Sequence, residues 1–265
     1  MKSMQEQRQC KESFDSVLAH GFKIPSSVIF AEPKPKARPP VKDVWFDDKT
    51  NRYGFIDCIE CDNRGCNKCF PIRRSIYRIK KSGLGDLLDR CTFESFTTPE
   101  SWQEHAKECI IAYTQSKADS WLYFAGQSGC GKTHLCTAAC KCFLDAGYSV
   151  TYKLWRDLVH EWQGVQFKSE EYNKFMQGLR DVDVLYIDDF LKTPDKNAIG
   201  RELTAAYEII NTRYNLYGRT IISSELHLSE LCTLEEATGG RISERASGHI
   251  VQVQKSQGRN FRLRT

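Results

Sequence analysis

The sequence predicts an α/β protein in which a parallel sheet lies between two helical layers, preceded by a small cysteine-rich module. Three observations carry this reading. A glycine-rich turn, Gly126-Gln127-Ser128-Gly129-Cys130-Gly131-Lys132-Thr133, stands between an apolar run and a helical pattern. A second apolar run ends in two carboxylates, Asp188 and Asp189, with another strand pattern between it and the turn. Toward the N-terminus, Cys58, Cys61, Cys66 and Cys69 are spaced Cys-x2-Cys-x4-Cys-x2-Cys.

The composition bounds the rest. A chain of 265 residues holds one core of roughly 150–200 residues plus something smaller. With 40% hydrophobic and 27% charged residues, it has no apolar run near the roughly 18 residues of a membrane span. The opening MKSMQEQRQC lacks the apolar stretch of a secretory signal, so a cytoplasmic, reducing setting is expected. There, twelve cysteines need another explanation than disulfides. A net charge of +4 permits nucleic-acid contact without demonstrating it.

Residues 1–40 read as a modest helical pattern around Phe14, Val17 and Leu18, followed by a proline-rich linker, AEPKPKARPP. A tethered partner-binding element and a frayed terminus fit this stretch equally. Residues 41–82 form the next unit. Each Cys-x-x-Cys pair is a tight turn aiming two thiolates at one point, and two such pairs close a tetrahedral zinc site. Four cysteine ligands leave no open coordination position, so Zn²⁺ on Cys58, Cys61, Cys66 and Cys69 would be structural. A redox or iron–sulfur centre is the competing reading. The run Arg73, Arg74, Arg78, Lys80 and Lys81 is either a nucleic-acid surface or a solvated helix face.

Residues 83–265 carry the α/β pattern. A helix is expected near 102–115, then the strand WLYFA (121–125) and the glycine turn. In the helix that follows, Leu135, Ala138, Ala139, Cys142 and Phe143 fall on helical spacing. Glycines at 126, 129 and 131 let successive N–H groups converge on phosphate oxygens, and the helix N-terminus adds partial positive charge. Lys132 is placed to bridge the β- and γ-phosphates of ATP, and Thr133 to offer its hydroxyl to Mg²⁺. The strand SVTYKL (149–154) comes next, then helical stretches to Arg180 and the strand DVLYIDDF (183–190). Asp188, 56 residues after Lys132, is expected in the Mg²⁺ shell, and Asp189 at the attacking water. A long helix over 198–217 precedes the strand RTIISSEL (219–226), whose polar tip is expected to touch the γ-phosphate. Arg241 and Arg245 lie four apart and share a helix face.

In order, GQSGCGKT, LYIDDF, TIISSE, GGRISERA and GRNFR resemble the AAA+ helicase loaders of bacteria and their phages, from about Leu88 onward. The cysteine cluster is similar to the zinc-bearing N-terminal module of some of those loaders. The resemblance implies a P-loop AAA+ three-layer sandwich. Only about forty residues follow TIISSE, too few for a helical lid, which loaders and the related transposition helper ATPases also lack. By position, Gly126–Thr133 would hold nucleotide, Thr133 and Asp188 the magnesium, and Asp189 the catalytic acid's place. Arg245 resembles an arginine finger acting in trans, and Arg262 an arginine acting in cis. Two positions depart: Asp189 stands where many relatives have Glu, and Glu225 where an Asn often senses the γ-phosphate, so Ser224 is a substitute for that role. The implied function is ATP-dependent loading of a hexameric replicative DNA helicase, with single-stranded DNA as a further partner and self-assembly through the finger. Two alternatives stay open: a transposition helper ATPase on duplex DNA, and an ATP-gated binding switch with little turnover. Lys153, Trp155, Arg156 and Trp162 are either a DNA surface or, for the tryptophans, core packing.

Overall fold

The computed structural model describes residues 84–116, 119–146, 148–192, 199–256 and 259–261, with the strand backbones of 44–46 and 56–58. The N-terminal segment 1–40, Cys61, Cys66, Cys69, the basic run 73–81 and Arg262 lie outside the described residues. Strands β1 (Val44–Phe46) and β2 (Ile56–Cys58) pair antiparallel with Val44 opposite Cys58, so the first cysteine of the cluster ends a strand.

The remaining elements are α1 (Gly85–Arg90), α2 (Ser101–Thr114), β3 (Trp121–Ala125), α3 (Lys132–Asp145), β4 (Val150–Leu154), α4 (Trp155–Val165) and α5 (Ser169–Arg180). They continue with β5 (Val184–Phe190), α6 (Ile199–Asn215), β6 (Arg219–Ser224), α7 (Leu228–Leu234), α8 (Glu236–Arg245) and β7 (Ile250–Gln252). The five strands β3–β7 form one parallel sheet in the order β4-β5-β6-β3-β7. β4 therefore sits at one edge and does not separate β3 from β5 in space; β6 does.

A parallel sheet covered on both faces needs apolar residues in both directions, and WLYFA is buried throughout. Trp121, Tyr123 and Ala125 join Leu185 and Ile187 in one core; Leu122 and Phe124 join Val184 and Tyr186 in the other. Leu158, Met176, Ile209 and Ile242, from α4, α5, α6 and α8, cover the first core. Leu88, Ile110 and Leu135, from α1, α2 and α3, cover the second. The three-layer expectation holds, each such side chain contributing roughly 1.5–3 kcal/mol by leaving water. Trp155 and Trp162 are core residues, 1% and 3% exposed, with indole N–H groups donated to Glu202 and Glu208. This settles the choice between a DNA surface and packing for both tryptophans. Lys153 is paired with Glu161 at 2.7 Å.

Two arginines staple the amino edge of the sheet. Arg213, fully buried, donates to the carbonyl oxygens of Leu179, Val182, Asp183 and Arg219 at 2.8, 2.9, 3.3 and 2.6 Å. Burial brings its pKa down to about 10, and a side chain at Gly218 would collide with its guanidinium. Arg219 donates to the carbonyls of Tyr113 and Ser116 and lies 4.5 Å over the Phe143 ring. Seven cysteines among the described residues are free thiols, and burial pushes Cys136 and Cys140 up in pKa. Among the described residues no helix is long and apolar enough to cross a membrane.

Candidate nucleotide-binding site

The carboxyl edge of the sheet collects most of the residues the motifs singled out. β3 runs into the loop Gly126–Thr133, and α3 starts at Lys132. Gly129 and Gly131 hold positive φ values of 77° and 95°, the left-handed region that glycine enters without strain. At Gly131 a Cβ would also fall 2.7 Å from the Phe96 ring. Lys132, 5% exposed, donates its ammonium to the carbonyls of Gly126 and Gln127 at 2.7 and 3.1 Å. A phosphate oxygen is a stronger acceptor than either carbonyl. Burial raises the pKa of the Cys130 thiol despite the nearby Lys132 charge, so Cys130 is a packing residue of the loop.

The acidic strand ends against this loop. Asp188, 4% exposed, lies 3.3 and 3.5 Å from the Thr133 hydroxyl. Tyr186 donates to Asp188 Oδ1 at 2.8 Å, Tyr152 to Oδ2 at 3.3 Å, and Ser223 to Oδ1. Burial and the Asp188 charge push both tyrosines up in pKa, so they stay neutral donors. A hydroxyl and a carboxylate, both hard oxygen donors, thus face each other beside the loop; that donor set fits Mg²⁺.

Asp189 occupies strained backbone, φ 54°, and Leu191 does so at 55°. Between them Phe190 is fully buried with its ring 4.7 Å from Trp155, which anchors the unusual turn. Lys192 binds Asp189 at 3.2 Å and Glu225 at 2.9 Å, bringing the two acids together. Burial alone would lower the Lys192 pKa, but the two carboxylates raise it. Ser224, expected at the phosphate, is fully buried, donates to the Phe190 carbonyl and accepts the Leu226 N–H. It is Ser223 that reaches the aspartates.

The tail arrives at the same loop. Val253 N–H donates to the Ala125 carbonyl, Ser256 N–H to Gln127 Oε1, and Phe261 N–H to the Gly129 carbonyl. A side chain at Gly129 would strike Asn260, while Arg259 lies 5.5 Å over the Trp102 ring. The sequence points to this segment only through GRNFR and Arg262; the approach of Asn260 and Phe261 to the loop has no local signal.

Arg245 lies elsewhere. It pairs with Asp119 at 3.3 Å, donates to the Tyr214 carbonyl at 3.1 Å, and stacks over Tyr217 at 4.0 Å. Asp119 precedes β3, whereas the phosphate loop follows it. The length of β3, roughly 16 Å at about 3.3 Å per residue, separates Arg245 from its own loop.

A phosphate loop on a parallel sheet, with an acidic strand ending opposite its threonine, defines a P-loop ATPase-type domain of the AAA+ fold. The family described as the bacterial DnaA ATPase domain matches residues 87–247, and the chain belongs to that family. It is 26% identical over 245 residues to the phage-like element PBSX protein XkdC of Bacillus subtilis (strain 168), covering 82% of this chain and 88% of that one. A crystal structure of the DnaC helicase loader superimposes with a TM-score of 0.55 at 20% identity, covering 63% of this chain and 98% of that one. The replication initiator DnaA bound to AMPPCP and single-stranded DNA gives 0.52 at 24% identity, covering 63% of this chain and 50% of that one. At these identities the two structures establish the fold alone, and the chain spans half the length of that DnaA chain.

Proposed function

We propose that the chain is an ATP-dependent loader of a hexameric replicative DNA helicase, acting in replication initiation and holding single-stranded DNA. The observation that carries this reading is the site at the carboxyl edge, where the phosphate loop meets Asp188 in the motif order that resembles the loaders; the fold shared with the DnaC helicase loader supports it.

In this reading the N–H groups of Gly126–Thr133 wrap the ATP phosphates, and Lys132 leaves the Gly126 and Gln127 carbonyls for the β- and γ-oxygens. Thr133 and Asp188 hold Mg²⁺, which when bound neutralises developing phosphate charge. Asp189 orients the attacking water and takes its proton on a carboxylate oxygen. Glu225 stands beside it through Lys192. Arg245, at the far end of β3 from its own loop, serves the nucleotide of a neighbouring subunit, and Arg262 the nucleotide of its own. Residues 1–40 are a tether, and residues 41–82 a module stapled by Zn²⁺ on Cys58, Cys61, Cys66 and Cys69 that grips the helicase. Residues 83–265 are the ATPase.

A second reading, an ATP-gated assembly switch with slow turnover, is favoured by Lys192, which ties up the carboxylates of both Asp189 and Glu225. Copurification tests the first. A replicative helicase should be recovered with the wild-type chain and lost with Cys58→Ser/Cys61→Ser; recovery of a transposase alone contradicts loading. Turnover of the recovered complex then separates loader from switch.

A further inference from the structure

We propose that Ser223 is a positioning residue that fixes the metal-holding and water-orienting carboxylates relative to each other; this rests on the reading of Asp188 and Asp189 given above. The ladder between β5 and β6 slips by one residue. Pairing is regular through Ile187 opposite Ile222 and resumes at Phe190 opposite Ser224. Two residues of β5, Asp188 and Asp189, therefore face one residue of β6, Ser223. That is a β-bulge, which leaves a residue unpaired and re-aims side chains.

The Ser223 hydroxyl repairs the bulge from both sides. It accepts the Asp189 N–H at 3.1 Å, a group the interrupted ladder would otherwise orphan, and donates to Asp188 Oδ1. Ser223 is fully buried, so this single oxygen is shielded from any water that would replace it. Oδ1 is also held by Tyr186 at 2.8 Å, whereas Oδ2, the oxygen nearer Thr133, takes only the longer Tyr152 contact at 3.3 Å and is the better placed one for a metal. At Asp189 the same hydroxyl steadies the strained φ of 54°. One side chain thereby sets the spacing and orientation of two carboxylates with different tasks. A serine lies in the small group able to do this, being short, both donor and acceptor, and compatible with a buried strand.

The test uses the full chain and a fluorescent, non-hydrolysable ATP analogue titrated in EDTA and in Mg²⁺, alongside ATPase assays. Ser223→Ala should bind the analogue in EDTA as wild type does. It should need about tenfold more Mg²⁺ for half-maximal effect and lose about tenfold in kcat, with KM for ATP little changed. Ser223→Thr, which keeps the hydroxyl, should restore both. A wild-type Mg²⁺ profile in Ser223→Ala overturns the inference, as does a parallel loss of EDTA binding and melting temperature that Thr does not rescue. Should alanine destabilise the fold, Ser223→Cys keeps the volume with a weaker donor and is read by the same criterion: a raised Mg²⁺ requirement supports, a wild-type one overturns. Asp188→Asn separates the levels. If it leaves the Mg²⁺ dependence intact, the parent reading falls and this inference with it; if it abolishes that dependence while Ser223→Ala does not, only the role of Ser223 falls.

Discussion

The two edges of the central sheet solve opposite problems with opposite chemistry. At the amino edge, Arg213 and Arg219 are buried cations whose donors go to backbone carbonyls that helix ends and strand starts leave over. At the carboxyl edge, Asp188 is a buried anion held by the hydroxyls of Tyr152, Tyr186, Ser223 and Thr133, none of which carries a charge. A guanidinium distributed over four carbonyls has its donors taken up by the fold itself. A carboxylate held by neutral hydroxyls keeps its charge uncompensated, and beside it lie an ammonium on weak carbonyl acceptors and backbone strained at Asp189. The stapling charge is fully partnered by its own fold, whereas Asp188, proposed to hold a metal, is partnered by neutral hydroxyls alone.

Arg213→Met sharpens the contrast most strongly. It strips partners from four carbonyls at the amino edge, and a loss of about 3 kcal/mol or more is expected in denaturant unfolding, with nucleotide binding by the folded fraction unchanged. A stable Arg213→Met protein would break the account of that edge. Gly129→Ala comes next. A Cβ there is strained at φ 77° and strikes Asn260, so nucleotide affinity should fall by about 2 kcal/mol, roughly 30-fold, in titration. Asn260→Ala in the same chain should recover part of it, leaving the φ term.

The smallest effect belongs to His249, whose ring packs against Tyr113 at 5.4 Å near Arg219. Burial first, and the Arg219 charge second, hold its pKa below the ordinary 6.5. The unfolded chain thus takes up this proton more readily than the folded one. Its contribution to stability is complete above pH 7 and declines as pH falls through the ordinary histidine range. Thermal melts between pH 7.5 and pH 5 should show a shallower decline in His249→Gln than in wild type. Identical slopes would remove His249 from the account.

Much of the carboxyl edge was legible in the sequence because its chemistry is local. GQSGCGKT carries its own glycines, strand and helix, and LYIDDF displays its carboxylates at a strand end. Ser223 was not legible, since alternation tells which face a residue takes but not where a ladder slips by one residue. The sequence singles out Ser224 and Glu225 instead, because Glu225 stands where an Asn often senses the γ-phosphate. Trp155 and Trp162 resisted because an aromatic beside basic residues reads equally as platform or core until Glu202 and Glu208 are seen taking the indoles. Arg213 resisted because arginines are mostly exposed, and its partners come from two separate segments, 179–183 and 219–220. Strand β7, three residues long, is too short for a period to register.

The proposed function requires the carboxyl edge to be a Mg²⁺-nucleotide site built around Asp188. Calorimetric titration of the full chain with a non-hydrolysable ATP analogue, with and without Mg²⁺, for wild type and Asp188→Asn, tests it most directly. Wild type should bind about tenfold or more tightly in Mg²⁺ than in EDTA, and Asp188→Asn should lose that gain while keeping its EDTA affinity. Equal gains from Mg²⁺ in both proteins would contradict the account.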